Sequence, residues 1–170
     1  LVCGAINWDI TCFVDRLPVP GEEVTIKNIN RVSGGTGGNV AVATARILGL
    51  KEVALVAALG DDDIAQRQLE ILNAEGVITD GIQIMAREQS GQAYIFVDRN
   101  GQNVIASYLG ANAKLQSQQL SSPYVQRLLQ ECQGIVLTDP PLDVATRLIA
   151  LAKQCGIPVL WDPGILLDQA

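Results

Sequence analysis

The chain has 170 residues, which predicts a single domain with room for a sizeable apolar core. Its hydrophobic content is 48% and its aromatic content only 4%, a mixture of Val, Ile, Leu and Ala that suits a parallel sheet covered by helices. A formal net charge of −6 without a basic cluster argues against nucleic acid and acidic membrane surfaces as partners.

The residue types also limit the chemistry of the chain. It contains no histidine, and its four cysteines lack Cys-x-x-Cys spacing, which excludes a thiol–imidazole zinc site and histidine-dependent catalysis. We expect the cysteines to be reduced, buried thiols of a cytoplasmic protein. No stretch approaches the roughly 18 uncharged apolar residues of a membrane-spanning helix. Residues 1–6 predict a buried strand rather than a secretory signal.

Two polar residues follow this first predicted strand. Asn7 and Asp9 come just beyond its carboxyl end, which is where open α/β sheets bind ligands. Asn7 can donate and accept hydrogen bonds, and an ionised Asp9 can accept from two hydroxyls, as a sugar diol requires. Taken alone, the pair is better explained as a strand terminator, since Asn and Asp are common in turns.

Two pairs of segments alternate apolar and polar residues and predict antiparallel hairpins. Such alternation is typical of a sheet with one open face, so we expect the four strands to form one subsidiary sheet apart from the buried parallel one. The paired segments are residues 11–17 with 22–32, around a Pro-x-Pro-Gly turn, and residues 91–97 with 102–109.

A glycine-rich loop, Ser-Gly-Gly-Thr-Gly-Gly-Asn at residues 33–39, precedes a predicted helix that ends at Gly49. Its glycines permit positive φ and close approach of a ligand, and Asn39 falls in the first helical turn, where free N–H groups favour oxygen-rich ligands. A small polyol suits this position, although a helix start without a ligand explains the loop equally well. The loop lacks the Gly-Lys-Ser/Thr of a phosphate loop and the third glycine of a dinucleotide fingerprint, which disfavours a nucleotide-binding oxidoreductase.

The middle of the chain predicts a core strand over residues 53–58, a helix that stops at Gly76, and a strand over residues 77–85. Three adjacent carboxylates begin the helix. Adjacent side chains point in different directions there, so we interpret Asp61 or Asp62 as a helix cap rather than assign a metal site.

The last third returns to alternating helices and strands, which indicates parallel βαβ units. Asp139 and Asp162 each come directly after a predicted strand, as Asn7 does, so we expect all three to meet at one edge of the sheet. The predicted elements are a helix at 124–132, a strand at 134–138, a helix at 143–154 and a strand at 157–161.

Together these motifs resemble the ribokinase-like (PfkB) family of carbohydrate kinases. The resemblance follows the order and spacing of six segments and covers the first half of a family member; the second family motif, Asp-Thr-x-Gly-Ala-Gly-Asp, does not occur in the sequence. It implies a doubly wound, mostly parallel α/β fold with a small antiparallel β lid made of about residues 11–32 and 90–111. The six segments are residues 4–9, 18–22, 33–39, 60–62, 91–97 and 109–113.

The resemblance also implies ATP-dependent phosphoryl transfer to a hydroxyl of a pentose, hexose or related polyol. ATP and Mg²⁺ would then bind mostly outside this chain, which supplies the sugar-binding and lid half and holds no metal site. The catalytic base belongs to the second motif, so the resemblance assigns no catalytic residue here. It assigns the sugar to Asn7, Asp9, Gly34, Gly35, Asn39, Ala93, Ile95 and Asp139, with Gly34 and Gly35 as the lid hinge.

Two departures from the family pattern leave the sugar open. Close ribokinase relatives carry a lysine where this chain has Thr36, and an apolar lid residue where it has Ser107. The resemblance further implies a homodimer through the lid. The alternative interpretation is a non-catalytic sugar-binding or dimerisation module of the same fold, because the base motif is absent from the chain.

Overall fold

The main sheet of the computed structural model, which describes residues 1–164, has six strands. The strands are β1 (Val2–Gly4), β4 (Val53–Gly60), β5 (Val77–Ile78), β6 (Ile82–Met85), β9 (Ile135–Thr138) and β10 (Val159–Asp162). Their order is β10-β9-β1-β4-β5, with β6 also paired to β4, and all of these pairs are parallel.

Apolar side chains cover both faces of this sheet. Successive residues of β1 point to opposite faces, so Val2 and Cys3 enter two different core clusters. The helices are α1 (Thr36–Leu48), α2 (Asp63–Ala74), α3 (Pro123–Glu131) and α4 (Leu142–Cys155). One cluster lies under α1, where Ala41 and Ala45 pack against the sheet, and the other lies under α3 and α4. The doubly wound α/β prediction is therefore confirmed.

The second sheet, called the lid sheet here, has four strands in the order β3 (Ile26–Gly34), β2 (Asn7–Val14), β7 (Gly91–Val97) and β8 (Asn103–Tyr108). Both sequence-predicted hairpins are present and antiparallel, and the parallel pairing of β2 with β7 joins them. The first strand begins four residues earlier than predicted, because the chain bends after β1 and continues directly into the lid sheet.

Two local predictions need correction. The single strand predicted over residues 77–85 is two strands, because the Ile82 N–H donates to the Thr79 carbonyl at 2.9 Å and closes a turn between them. Residues 110–121, for which no element was predicted, form two short 3₁₀ helices, Gly110–Lys114 and Ser117–Ser121. The predicted domain extends to residue 170, and residues 165–170 lie outside the described part.

Asp62, one of the two predicted caps, begins α2. Its carboxylate accepts from the Ala65 N–H at 3.0 Å, which satisfies a free donor of the first turn. Among residues 1–164, no helix is both long and apolar enough to cross a lipid bilayer.

Candidate functional site

A cavity of about 540 Å³ lies between the lid sheet and the carboxyl edge of the main sheet. Of the eight predicted site residues, all except Gly34 line it. The polar lining consists of Asn7, Asp9, Thr36, Asn39, Ser107, Asn112 and Asp139, and the apolar lining includes Ala93, Ile95, Ile105, Leu109 and Leu142.

Asn7 and Asp9 reach the cavity from the first residues of β2. They are not terminators of β1, as the sequence alone favoured, but alternate positions of a lid strand that share one face. On that face Asp9 pairs with Ala93 of β7, and Ala93 pairs with Ser107 of β8. The lid sheet therefore places the polar side chains of Asn7 and Asp9 on the same face as the apolar side chain of Ala93.

The Asp9 carboxylate is half-buried beside Gly34. A Cβ on Gly34 would overlap this carboxylate, so Gly34 provides space for Asp9 and does not itself border the cavity. Burial raises the pKa of the Asp9 carboxyl above its ordinary value. Among residues 1–164, no hydrogen bond or ion pair compensates for this burial, so the carboxylate is available to accept hydrogen bonds from a ligand.

The glycine loop packs tightly against the bend that joins β1 to β2. Gly35 has φ +83°, and a Cβ there would lie 2.5 Å from the Asn7 nitrogen and 2.7 Å from the Ala5 oxygen. The Gly37 and Gly38 N–H groups donate to the Ala5 carbonyl at 2.9 and 3.2 Å. Two donors that we expected at the helix tip for a ligand are therefore occupied by the protein's own backbone.

Asp139 forms the opposite wall of the cavity. It follows β9 directly, with φ +52°, and its Oδ2 accepts from the Thr36 hydroxyl at 3.1 Å. This bond links the wall to the start of α1. Asp162, which was expected at the same edge, does not border the cavity, and its Oδ1 accepts from the Gly164 N–H at 3.2 Å.

Two residues that the sequence did not single out hold Asn7 in place. The Asn112 Nδ2 donates to the Asn7 Oδ1 at 3.0 Å. The fully buried Gln68 of α2 donates to the Asn7 carbonyl at 2.7 Å and accepts from the Ser33 hydroxyl at 2.5 Å. The sequence carried one signal for Gln68: it is a polar residue at helical spacing from Ala65 and Leu72, on the buried face of α2, and a buried polar group needs hydrogen-bond partners.

A family model described as pfkB family carbohydrate kinase matches residues 1–169. The chain belongs to the pfkB family. Curated relatives agree with this assignment, and they span more than one substrate. The ribokinase of Haemophilus influenzae is 33% identical over 171 residues, which cover 99% of this pfkB chain and 55% of the relative. The ATP-dependent ribose-1-phosphate kinase of Halopiger xanaduensis is 32% identical over 168 residues, covering 96% of this chain and 53% of the relative.

Solved structures show the same pfkB fold. Ribokinase of Arabidopsis thaliana, complexed with ribose and ATP, superposes with a TM-score of 0.83 and is 28% identical, covering 96% of this chain and 52% of that structure. The fold is therefore ribokinase-like. This pfkB chain spans about half the length of the relatives that it matches.

Proposed function

We propose that this chain is the sugar-binding and lid half of an ATP-dependent sugar kinase, which transfers a phosphoryl group to a hydroxyl of a pentose, hexose or related polyol. One observation carries the proposal: Asn7 and Asp9 of β2, Asn39 of α1 and Asp139, which directly follows β9, all border one cavity beneath the lid sheet. Carboxylate and amide groups that converge in this way suit the hydroxyls of a polyol.

The lid has a second role in this proposal. Ala93, Ile95 and Ile105 present apolar surface to the cavity from adjacent strands. Closure of this surface over a sugar would exclude water from the site, so that water does not replace the sugar as the acceptor of the phosphoryl group of ATP. The polar residues then bind and orient the sugar, and the apolar residues keep the site dry.

ATP and Mg²⁺ enter the proposal as the phosphoryl donor and its metal, which together supply the transferred group and neutralise its charge. Within residues 1–164, no group of three or more metal-binding side chains is present to hold the metal. The resemblance to the family assigns both mostly to sites outside this chain. The residues described here bind and orient the acceptor sugar.

We also propose a homodimer through the lid sheet. The face of the lid sheet that points away from the cavity carries Tyr94, Val104 and Tyr108, which are 41%, 56% and 45% exposed. Because these large side chains lie on adjacent strands, they form an exposed patch whose burial is favourable, and a second copy of the chain would cover it.

The proposed location is the cytoplasm. All four cysteines are free, as expected for thiols in a reducing compartment. Cys3 and Cys12 are buried as predicted, whereas Cys132 is half-buried and Cys155 is exposed, so the expectation of buried thiols is wrong for these two. The alternative function, a non-catalytic sugar-binding module, shares every contact described above. It differs from the kinase only in lacking turnover.

A thermal-shift screen of pentoses, hexoses and nucleosides, with and without ATP, tests the proposal. A sugar that binds the folded chain at 100 times its Kd stabilises it by about 2.7 kcal/mol and raises Tm. Because Asp9 and Asp139 both border the cavity, D-ribose should raise Tm more than ribose 1-phosphate. If no sugar raises Tm, the sugar site is wrong. The kinase is separated from the non-catalytic module by whether the motif Asp-Thr-x-Gly-Ala-Gly-Asp, which carries the base, is encoded downstream in the parent reading frame.

A further inference from the structure

We propose that Asn112 is a positioning residue that sets the direction of the Asn7 side-chain amide, so that Asn7 meets a ligand as a hydrogen-bond donor while Asp9 meets it as an acceptor. The inference rests on the proposed sugar-binding function of the cavity. It assigns a donor role to Asn7, whose amide could otherwise either donate to a ligand or accept from it.

The direction of the Asn112 amide is determined by the backbone. The Ile6 N–H donates to the Asn112 Oδ1 at 3.0 Å, and a backbone N–H can only donate. The other end of the amide must therefore be Nδ2, which donates to the Ile6 carbonyl at 2.9 Å. Asn112 is 7% exposed, and its oxygen and nitrogen are both engaged, so it has little capacity left for a ligand.

The direction of the Asn7 amide follows from that of Asn112. The Asn112 Nδ2 lies 3.0 Å from the Asn7 side chain, and only the Asn7 Oδ1 can accept from it. The Asn7 Nδ2 then points away from Asn112, and the Asn7 side chain borders the cavity. No acceptor among residues 1–164 takes a hydrogen bond from it, which leaves its two N–H groups for a ligand.

The first residue of β7 leaves room for this arrangement. A Cβ at Gly91 would overlap the Asn112 Nδ2 and would lie 2.5 Å from the Asn7 Oδ1. Gly91 also pairs with Asn7 in the lid sheet. The bond between the two amides therefore forms where the first residues of β2 and β7 meet the 3₁₀ helix Gly110–Lys114.

Asn7 and Asp9 then differ in what they require of a sugar. The hydroxyl beside Asn7 must accept a hydrogen bond, whereas the hydroxyl beside Asp9 must donate one. Replacement of a hydroxyl by fluorine removes the donor but keeps a weak acceptor. Fluorination should therefore weaken binding less at the position that faces Asn7 than at the position that faces Asp9.

The first experiment is calorimetry with D-ribose on the full chain and on Asn7→Asp. This substitution keeps the shape of the side chain and its acceptor toward Asn112, but it replaces the donor that faces the cavity with an oxygen. We expect folding to be retained and D-ribose affinity to fall about tenfold or more. Unchanged affinity in a folded Asn7→Asp variant would overturn the inference, because Asn7 would then be acting as an acceptor.

The second experiment uses NMR to observe the side-chain NH₂ groups of Asn7 and Asn112 in the unsubstituted protein. We expect the Asn7 NH₂ signal to shift as D-ribose is added, and the Asn112 NH₂ signal to be protected from solvent exchange in the free protein. Protection of the Asn7 NH₂ signal, with no response to bound D-ribose, would overturn the inference while leaving the proposed function in place. If D-ribose does not bind to the unsubstituted protein at all, both fail.

Discussion

At the residue scale, the half-buried carboxylate of Asp9 does not stabilise the fold when it is ionised. Burial raises the pKa of its carboxyl above the ordinary value of 3.8, so the folded chain holds this proton more tightly than the unfolded chain does. Stability therefore falls as the pH rises from 3.8 through the raised folded pKa, and it is level above that point. At neutral pH the ionised Asp9 destabilises the fold.

The substitution Asp9→Asn should separate stability from binding. It removes the buried charge, so the free energy of unfolding at neutral pH should rise, and the advantage should disappear as the pH falls toward the ordinary carboxyl pKa. Sugar affinity should fall about tenfold or more, since a hydrogen bond to a charged group is worth about 1.5–3 kcal/mol. Urea unfolding from pH 4 to 7 and calorimetry measure the two effects.

The matched control is Asp80→Asn, which alters an exposed carboxylate in a turn. It should change neither property. A loss of stability in Asp9→Asn at neutral pH would show that the carboxylate has a structural partner.

Gly35 is a second residue whose surroundings determine its role. We predict that Gly35→Ala lowers the free energy of unfolding by about 3 kcal/mol or more, because a Cβ there combines a positive φ with contact against backbone atoms of Ala5 and Asn7. Gly21 has nearly the same φ, +86°, with no atom within 4 Å of its Cβ position. Gly21→Ala should cost only about 1–2 kcal/mol.

Chemical denaturation of the two variants measures the difference. Equal losses would mean that the loop relaxes around the new methyl group, as the hinge role predicted from the resemblance requires. A much larger loss at Gly35 would favour a structural role, in which this residue lets the start of α1 approach the bend between the sheets.

Among the elements, α2 and the lid are joined through one carboxylate. Besides capping α2, Asp62 accepts from the Ser90 N–H and from the Ser90 hydroxyl, each at 2.7 Å. The same hydroxyl accepts from the Gly60 N–H at 3.0 Å, at the end of β4. Ser90 is fully buried and immediately precedes β7, so this network anchors a lid strand to the main sheet.

We expect Asp62→Asn to lower the free energy of unfolding by about 2–3 kcal/mol, because an amide offers one acceptor where the carboxylate serves three donors. Asp63→Asn, at the next position, alters a side chain that is 79% exposed and should cost less than about 0.5 kcal/mol. Urea unfolding gives the two values. Hydrogen exchange at β7 should accelerate in Asp62→Asn alone; equal exchange in both variants would contradict the anchoring role.

At the scale of the whole molecule, the lid sheet gives the chain a second apolar surface apart from its core. If this surface forms a dimer, Val104→Glu should yield monomers at concentrations where the unsubstituted chain is dimeric, since it places a charge in the contact. Light scattering after size-exclusion chromatography measures the mass. Ile47→Glu is the control, because Ile47 is 82% exposed on α1, outside the lid sheet. A monomeric unsubstituted chain would contradict the dimer.

Much of this fold follows from local signals in the sequence. Alternation predicted the lid hairpins, an apolar run predicted β4, and Gly76 marked the end of α2. These predictions succeeded because side-chain periodicity, caps and turn residues act within a few positions of one another. The single strand predicted over residues 77–85 was wrong because it passed over a local turn signal, Thr79-Asp80-Gly81, where the Ile82 N–H donates to the Thr79 carbonyl.

By itself, the sequence determined most of the helices and strands and most of the predicted residues that border the cavity. The tertiary structure alone decided that β2 pairs in parallel with β7, that Gly34 makes room for Asp9, that Asp162 lies outside the cavity, and that Asn112 contacts Asn7. The last of these contacts spans 105 positions of the chain. Contacts at such separations depend on how strands and helices pack and on where each side chain is directed at a strand end, and no local pattern of residue types encodes either.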